Sequence, residues 1–556
     1  MQQRVENLSV IIITLNNEDE IADCLAAVRF AGEVIVVDAG SQDDTVNICQ
    51  QYADKVIVNR PWPGFGPQKN VALSLATKPW VLSIDADERV PDTLQQEIVS
   101  VVCADSSEAP IAYKIPRRSS FCGKFMRFSG WYPDYVLRLF HREAAAFSQD
   151  LVHESIQLNH PNQSKQAVGK LKTPLIHYSI KTIDQARQKM YRYAELGAKN
   201  KWKNGKSCLA IRPFLSSAWT FLRTYLVQRG LFDGQHGLVL ACLNAKGTFI
   251  KYHLLRRFNQ HQHVPTCGII VSTCNWPQGL ARLLNSIERQ TKCPDEVIIA
   301  DDGSGQVTRD CIEAFQASSA LTIKPIWQAD DEAQATQVAR IRNKAIAAAN
   351  TDLLIFIDGD CVLPNDFVAN HYCLAKRGHL NAGNRVMLST AQTNEFLQSM
   401  PSESMPSTDW RGQVTLTLPQ KIKQLYLPLG FFRDFFPRRW KGVKTCNVAI
   451  FRQDLLAVNG FDEGFTGWGY EDSDLVIRLY RNGVKRRAAR FSASVLHLWH
   501  ASNIDTQKAE HNRQQLAQTL ASNTIKVTQG IDGHIAKVSV AKDCMDKDCM
   551  DKKGRD

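Results

Sequence analysis

Leu353 to Leu363 reads LLIFIDGDCVL, an apolar run that stops abruptly at two aspartates spaced i, i+2, Asp358 and Asp360. A β-branched and apolar run of this length reads as a strand buried on both faces, as in a parallel sheet. Side chains two apart on a strand point the same way, roughly 6.5 Å along it. Two carboxylates leaving the carboxyl end of such a strand on one side make a hard-oxygen site suited to Mg2+ or Mn2+, and that ion can neutralise a diphosphate. Trp80 to Val90, WVLSIDADERV, repeats the device with Asp85 and Asp87. One architecture is therefore expected twice.

The sequence around both pairs extends the repeat. Gly268–Ser272 (GIIVS) matches the first strand, with Thr273 and Asn275 in the places of Thr14 and Asn16, an offset of 259. EVIIADDGS, Glu296 to Ser304, matches EVIVVDAGS, Glu33 to Ser41, with Gly303 and Ser304 offset by 263 from Gly40 and Ser41, and the aspartate pairs are offset by 273. Offsets that grow slowly are those of a duplicated or fused domain with loop insertions. In the first half, LSVIIIT (Leu8–Thr14) is a buried strand, Ile21, Leu25 and Val28 follow at helical spacing, and EVIVVD is a second strand ended by Ala39-Gly40-Ser41. Strand and helix alternating in this rhythm predict an α/β fold with an open doubly wound sheet in each half, whose ligands sit beyond the carboxyl ends of the strands. The polar residues expected at those ends are Thr14, Asn16, Glu18, Asp38, Asp85 and Asp87, and in the second half Thr273, Asn275, Asp302 and Asp358.

A chain of 556 residues suits two domains, 44% hydrophobic and 22% charged residues are those of a globular protein, and no 18-residue uncharged apolar run predicts a spanning helix. The first apolar run, from Leu8, leads straight into motif residues and reads as a strand, not a signal peptide. Fifteen cysteines without C-x-x-C pairs read as reduced thiols of a cytosolic protein. We place the domains at 1–180 and 263–520, a basic helical segment at 181–262, and an unstructured tail at 521–556. Between Ile180 and Gln262, 15 Lys/Arg face 3 Asp/Glu, an excess that accounts for the whole formal charge of +11. Trp219, Phe221, Leu222, Tyr225 and Leu226 lie there among Arg223 and Arg229, as an interfacial helix on an anionic membrane surface requires. A helical hairpin packed on a globular domain is the alternative. No recognition module accompanies the basic residues, so nucleic acid is not an expected partner.

TLNNEDEIADCL, VIVVDAGSQDDT, WPGFGPQKNVAL, WVLSIDADERV, GWYPDYVLRLFHR and LVHESI, in that order from Leu8 to about Phe258, resemble family 2 glycosyltransferases of the subgroup that adds β-linked glucose to the heptose of the lipopolysaccharide inner core. The resemblance implies two tandem glycosyltransferase A-type, nucleotide-sugar-binding domains. It implies that Asp38 binds the base or ribose and that Asp85 and Asp87 hold the diphosphate through a metal. Inverting transfer needs one general base to deprotonate the acceptor hydroxyl, and Asp134 and Glu154 both stand as candidates. In the second half GWGYEDSDLVIRLYRNG resembles the acceptor-side motif of β-galactosyltransferase-like and chondroitin-polymerase-like enzymes. That resemblance makes Asp472 the base, puts Glu471 against acceptor or donor sugar, and makes His497, chosen over His500, complete a metal site with Asp358 and Asp360. The resulting expectation is a bifunctional inverting hexosyltransferase using UDP-glucose in the first half and a UDP-hexose in the second. It would act on a lipid-linked core oligosaccharide acceptor, peripheral on the cytoplasmic face of the inner membrane. A capsular or exopolysaccharide polymerase, or one active half beside a non-catalytic scaffold, are the alternatives.

Overall fold

The structure is a computed structural model that describes residues 4–60, 62–104, 110–148, 156–158, 168–260, 263–328, 337–399, 414–427, 429–467, 469–501 and 506–535. Glu154, Trp468 of the Gly-Trp-Gly turn and the end of the tail, 536–556, lie outside them. The chain forms two compact units, Met1–Ala186 with Ser216–Lys246, and Arg187–Leu215 with Gly247–Asp556.

The first unit is built on β1 (Val5–Thr14), β2 (Ala31–Asp38), β3 (Lys55–Val58) and β4 (Trp80–Asp85), with α1 (Glu18–Ala26), α2 (Thr45–Tyr52) and α3 (Phe65–Leu75) between them. The four strands pair in parallel in the order β3-β2-β1-β4, and the strand Asp134–His141 joins β4 antiparallel. The apolar runs are buried on both faces, as their lack of alternation requires. Val10, Ile12, Val34, Val36, Leu82 and Ile84 pack on one side, and Ile11, Ile13, Ile35, Val37 and Val81 on the other, with Ala72 of α3.

The second unit repeats the order. Ile323–Gln328, Glu296–Asp302, Cys267–Thr273 and Leu353–Asp358 pair in parallel, and Val448–Phe451 joins Leu353–Asp358 antiparallel. The duplication extends to buried polar clamps. Glu33 Oε2 accepts from the Thr77 amide at 2.9 Å and hydroxyl at 3.1 Å while Oε1 pairs with Lys55 at 2.8 Å. Glu296 Oε1 accepts from the Thr351 amide at 2.8 Å and hydroxyl at 2.7 Å while Oε2 pairs with Lys324 at 2.6 Å. Each clamp ties the second strand to the turn leading into the aspartate-bearing strand, so each fixes the register of the site above it.

Residues 181–262, set apart in the sequence reading, are shared between the units. The long helix Gln235–Phe258 contributes Leu240 and Leu243 to a cluster with Phe121 and Met126 in the first unit, while its Leu254, Leu255 and Phe258 join the core of the second. Part of the expected tail is likewise packed: Ile531 is fully buried in the second core, where Val458 and Phe461 also lie. An apolar side chain that finds a core does not remain a solvated tail.

Candidate functional site

Both sites begin with a tight turn after the first strand of the unit, Val5–Thr14 or Cys267–Thr273. Asn16 and Asn275 take positive φ, 52° and 49°, a conformation Asn tolerates better than most residues. The Asn16 amide donates to Ser41 Oγ and the Asn275 amide to Ser304 Oγ, both at 2.8 Å, and the Asn side-chain oxygens accept the amides of Gln42 and Gly305. Glu18 holds the same loop by accepting from the Asp44 amide at 3.0 Å. Thr14 pairs with Asp38 across the sheet, and Thr273 pairs with Asp301. The counterpart of Asp38 is therefore Asp301, not the expected Asp302. The 263-residue offset of the neighbouring glycine and serine carries the same assignment, and the two adjacent acids obscured it. Strand alternation turns Asp302 elsewhere, and Gln328 Nε2 donates to it.

The two acids differ in loading. Asp38 is fully buried and accepts from Thr14 Oγ1 at 2.9 Å, Ser41 Oγ at 2.5 Å, and the Gly40 and Ser41 amides at 2.7 Å. Asp301 accepts the Ser304 amide at 3.0 Å on Oδ1, and its buried Oδ2 has no hydrogen-bond partner among the described residues.

The aspartate pairs follow. Lys69 Nζ lies 2.8 Å from Asp85 Oδ1, and Arg342 Nη2 lies 3.1 Å from Asp358 Oδ1. The cations share the 273-residue offset of the acids, and each is followed by an asparagine that bonds a phenylalanine backbone both ways at 2.9 Å, Asn70 with Phe147 and Asn343 with Phe461. Sequence reasoning passed over both Lys-Asn and Arg-Asn, though the common offset was the signal.

In the first unit Asp85 also pairs with Arg138, which reaches Glu88 Oε1 at 2.7 Å. Arg117 lies 3.7 Å from Glu88 and holds the candidate base Asp134 at 2.6 Å. Burial alone would raise the Asp85 carboxyl, but Arg138 and Lys69 outweigh it and hold it well below the usual range. Burial pushes Glu88 the other way, upward, against Arg138. Asp87 points to His177 Nε2 at 3.2 Å, and His177 Nδ1 meets Ser119 Oγ at 2.9 Å.

In the second unit the described residues contain one group of three or more potential metal ligands, Asp360, His497 and His500, whose ligand atoms lie within 4.8 Å of one another. Asp360 Oδ2 is 3.4 Å from His497 Nε2 and 3.1 Å from His500 Nε2. His500, set aside in the sequence reading, is thus brought in. Asp358 is not in the group, and its Oδ1 accepts from Arg342 at 3.1 Å. Burial raises the Asp358 carboxyl to about 6 against the pull of Arg342. One carboxylate and two imidazoles are a donor set that fits Mn2+ or a similar divalent ion.

Topology supplies a residue the sequence reading lacked. His497 lies opposite Cys361, the residue after Asp360, in an antiparallel pair. His177 lies opposite Glu88, the residue after Asp87, in another. His177 is therefore the first unit's counterpart of His497.

Also in the second site, Glu471 and Asp472 open the helix Glu471–Arg481. Glu471 is committed: Oε1 pairs with Arg342 at 2.9 Å and Oε2 accepts the Gly469 amide at 3.0 Å. Asp472 is buried, 3.2 Å from both Lys444 Nζ and Ser473 Oγ. Asp474 is structural, bonded to the fully buried Arg478 at 2.7 Å.

A model of glycosyl transferase family 2 matches residues 9–153 and 268–457, and one for the N-terminal domain of galactosyltransferase matches 432–501. A glycosyltransferase of Rickettsia typhi, named as uncharacterized, is 31% identical over 261 residues, 46% of this chain and 88% of its own length. The lipopolysaccharide core biosynthesis glycosyltransferase LpsC of Rhizobium meliloti is 28% identical over 270 residues, 45% of this chain and 95% of its own. Among solved structures, the mannosyltransferase PcManGT from Pyrobaculum calidifontis, in complex with GDP-Man and Mn2+, matches 46% of this chain and 63% of its own at 17% identity and a TM-score of 0.30.

Proposed function

The chain belongs to glycosyl transferase family 2, and from that premise we propose that it is a bifunctional inverting hexosyltransferase, with one nucleotide-sugar site in each unit. The observation that carries this reading is the repeated constellation: Thr14, Asn16, Asp38, Lys69, Asp85, Asp87 and His177 in one unit, Thr273, Asn275, Asp301, Arg342, Asp358, Asp360 and His497 in the other. A scaffold half has no physical need of a second set.

Asp360, His497 and His500 would hold the ion of the second site, and Asp87 with His177 that of the first. When bound, the ion supplies positive charge to the departing diphosphate. Lys69 and Arg342 fix the first acid of each pair. Asp472 takes the proton of the acceptor hydroxyl as its oxygen bonds the anomeric carbon and the bond to the diphosphate breaks, with inversion. Glu471 is unsuited to that task because Arg342 and the Gly469 amide already occupy it. In the first unit the base is Asp134 or Glu154.

Similarity to LpsC supports lipopolysaccharide core as the product; to this our reading adds UDP-glucose and a UDP-hexose as donors and a lipid-linked acceptor on the cytoplasmic face of the inner membrane. The test is the full chain with radiolabelled nucleotide sugars and core acceptor, as wild type, Asp87→Asn and Asp360→Asn. Two transfers, each lost in a different variant, support the reading. Both transfers surviving Asp87→Asn would make the first unit a scaffold, and products of alternating repeat would indicate a polymerase.

A further inference from the structure

The hairpin formed by Ser216–Lys246 in the first unit is packed with its small side inward. Thr224, Gly230, Asp233, Gly237 and Ala241 are buried, and a Cβ on Gly237 would come within 1.9 Å of the Gly230 carbonyl oxygen. The large apolar side chains face out: Trp219 is 60% exposed, Val227 67% and Phe232 64%, with Leu222, Leu226 and Leu231 also exposed. Trp219, Leu222 and Leu226 recur at helical spacing, so they share one face. An exposed apolar face of this kind marks an interaction surface.

Charge decides among the partners. Asp233 is the only acid between Ser216 and Lys246, and it is consumed inside. Its carboxylate accepts the Arg127 and Phe128 amides at 3.2 and 3.1 Å and Ser129 Oγ at 3.0 Å. The outward face therefore carries no negative charge, and Arg223 and Arg229 stand exposed beside the apolar residues. No helix among the described residues is long and apolar enough to cross a membrane. Apolar side chains of shallow reach flanked by unopposed arginines match the boundary between headgroups and acyl chains of an anionic leaflet.

We propose that the outward face of Trp219–Phe232 docks on an anionic lipid surface, its aromatic and aliphatic side chains entering the headgroup boundary and Arg223 and Arg229 meeting lipid phosphates. This does not depend on which sugars are transferred. Flotation of the full chain with phosphatidylglycerol-containing or pure phosphatidylcholine vesicles tests it. Binding should require phosphatidylglycerol and fall as salt rises. Val227→Ser with Phe232→Ser should weaken partitioning by about tenfold or more, the worth of burying large apolar side chains. Arg223→Gln and Arg229→Gln should each weaken it about fivefold, near the value of one basic residue at such a surface. Leu226→Glu, at an exposed position, is a second variant of the apolar face, and an unchanged melting temperature and donor binding report intact folding. No flotation at low salt, equal binding to neutral vesicles, or loss of a concentration-dependent dimer without loss of flotation in the serine variant would overturn the proposal. The last result would make this face an interface between copies of the chain.

Discussion

Replacing Arg342 by Met tests the bridge on which the second site rests. Its guanidinium is almost wholly buried and holds Asp358 at 3.1 Å, Glu471 at 2.9 Å and Ser272 Oγ at 3.0 Å. Removing one partner of a buried ion pair leaves an uncompensated charge and costs about 3–5 kcal/mol. Asp358 keeps 27% exposure, so water recovers part of that loss, and the lower figure of about 3 kcal/mol applies. With a urea dependence of about 3 kcal/mol per molar, apt for a unit of this size, the unfolding midpoint should fall by about 1 M. Hydrogen exchange of amides in Glu471–Arg481 against urea reports this unit specifically. Arg342→Lys keeps one charge without the fork that spans both acids, and should fall between wild type and Met. A Met variant with its midpoint within about 0.1 M of wild type would refute the three-way bridge and the restraint it places on Glu471.

Asp472→Asn keeps the size and position of the side chain but not its basicity, so calorimetric donor affinity should persist while transfer falls by about 10²- to 10⁴-fold; substantial turnover would move the base elsewhere. His177→Ala and His497→Ala should each weaken Mn2+ binding, read by electron paramagnetic resonance without substrate, by about tenfold or more and only in their own units. An unchanged first-unit affinity in His177→Ala would remove that residue from the site. Burial alone would raise the Glu33 carboxyl, but Lys55, Ser9 and Thr77 bring it down to about 2. Its stabilisation is therefore present above the unfolded value of about 4.3 and lost as pH falls through about 2. The stability gap between wild type and Glu33→Gln should shrink across that window, and a gap independent of pH would show that the carboxylate charge is not what the clamp uses.

The strands and aspartate pairs were legible because their signals are local: an unbroken apolar run, then acids at i and i+2. The offsets of Gly40 and Ser41 against Gly303 and Ser304 likewise made the duplication readable. His177 was not legible, since only antiparallel pairing with Glu88 brings it beside Asp87. Asp301 and Asp302 are neighbours, and the register with Thr273 chooses between them. The spacing that marked Asp358 as a candidate metal ligand says nothing of Arg342, a buried arginine of the helix Val338–Ala348 that donates to its Oδ1.

The chain of groups Lys69, Asp85, Arg138, Glu88, Arg117 and Asp134 alternates in formal sign from end to end. Such an alternation constrains how the sequence can drift. A replacement that changes the sign of a buried member, Lys69, Arg138 or Glu88, leaves its neighbours without their counter-charge, whereas a compensating exchange at the adjacent link restores the balance. Descendants of this sequence should therefore vary at these six positions in adjacent pairs, and a lineage that has lost one member should have lost or altered the one beside it.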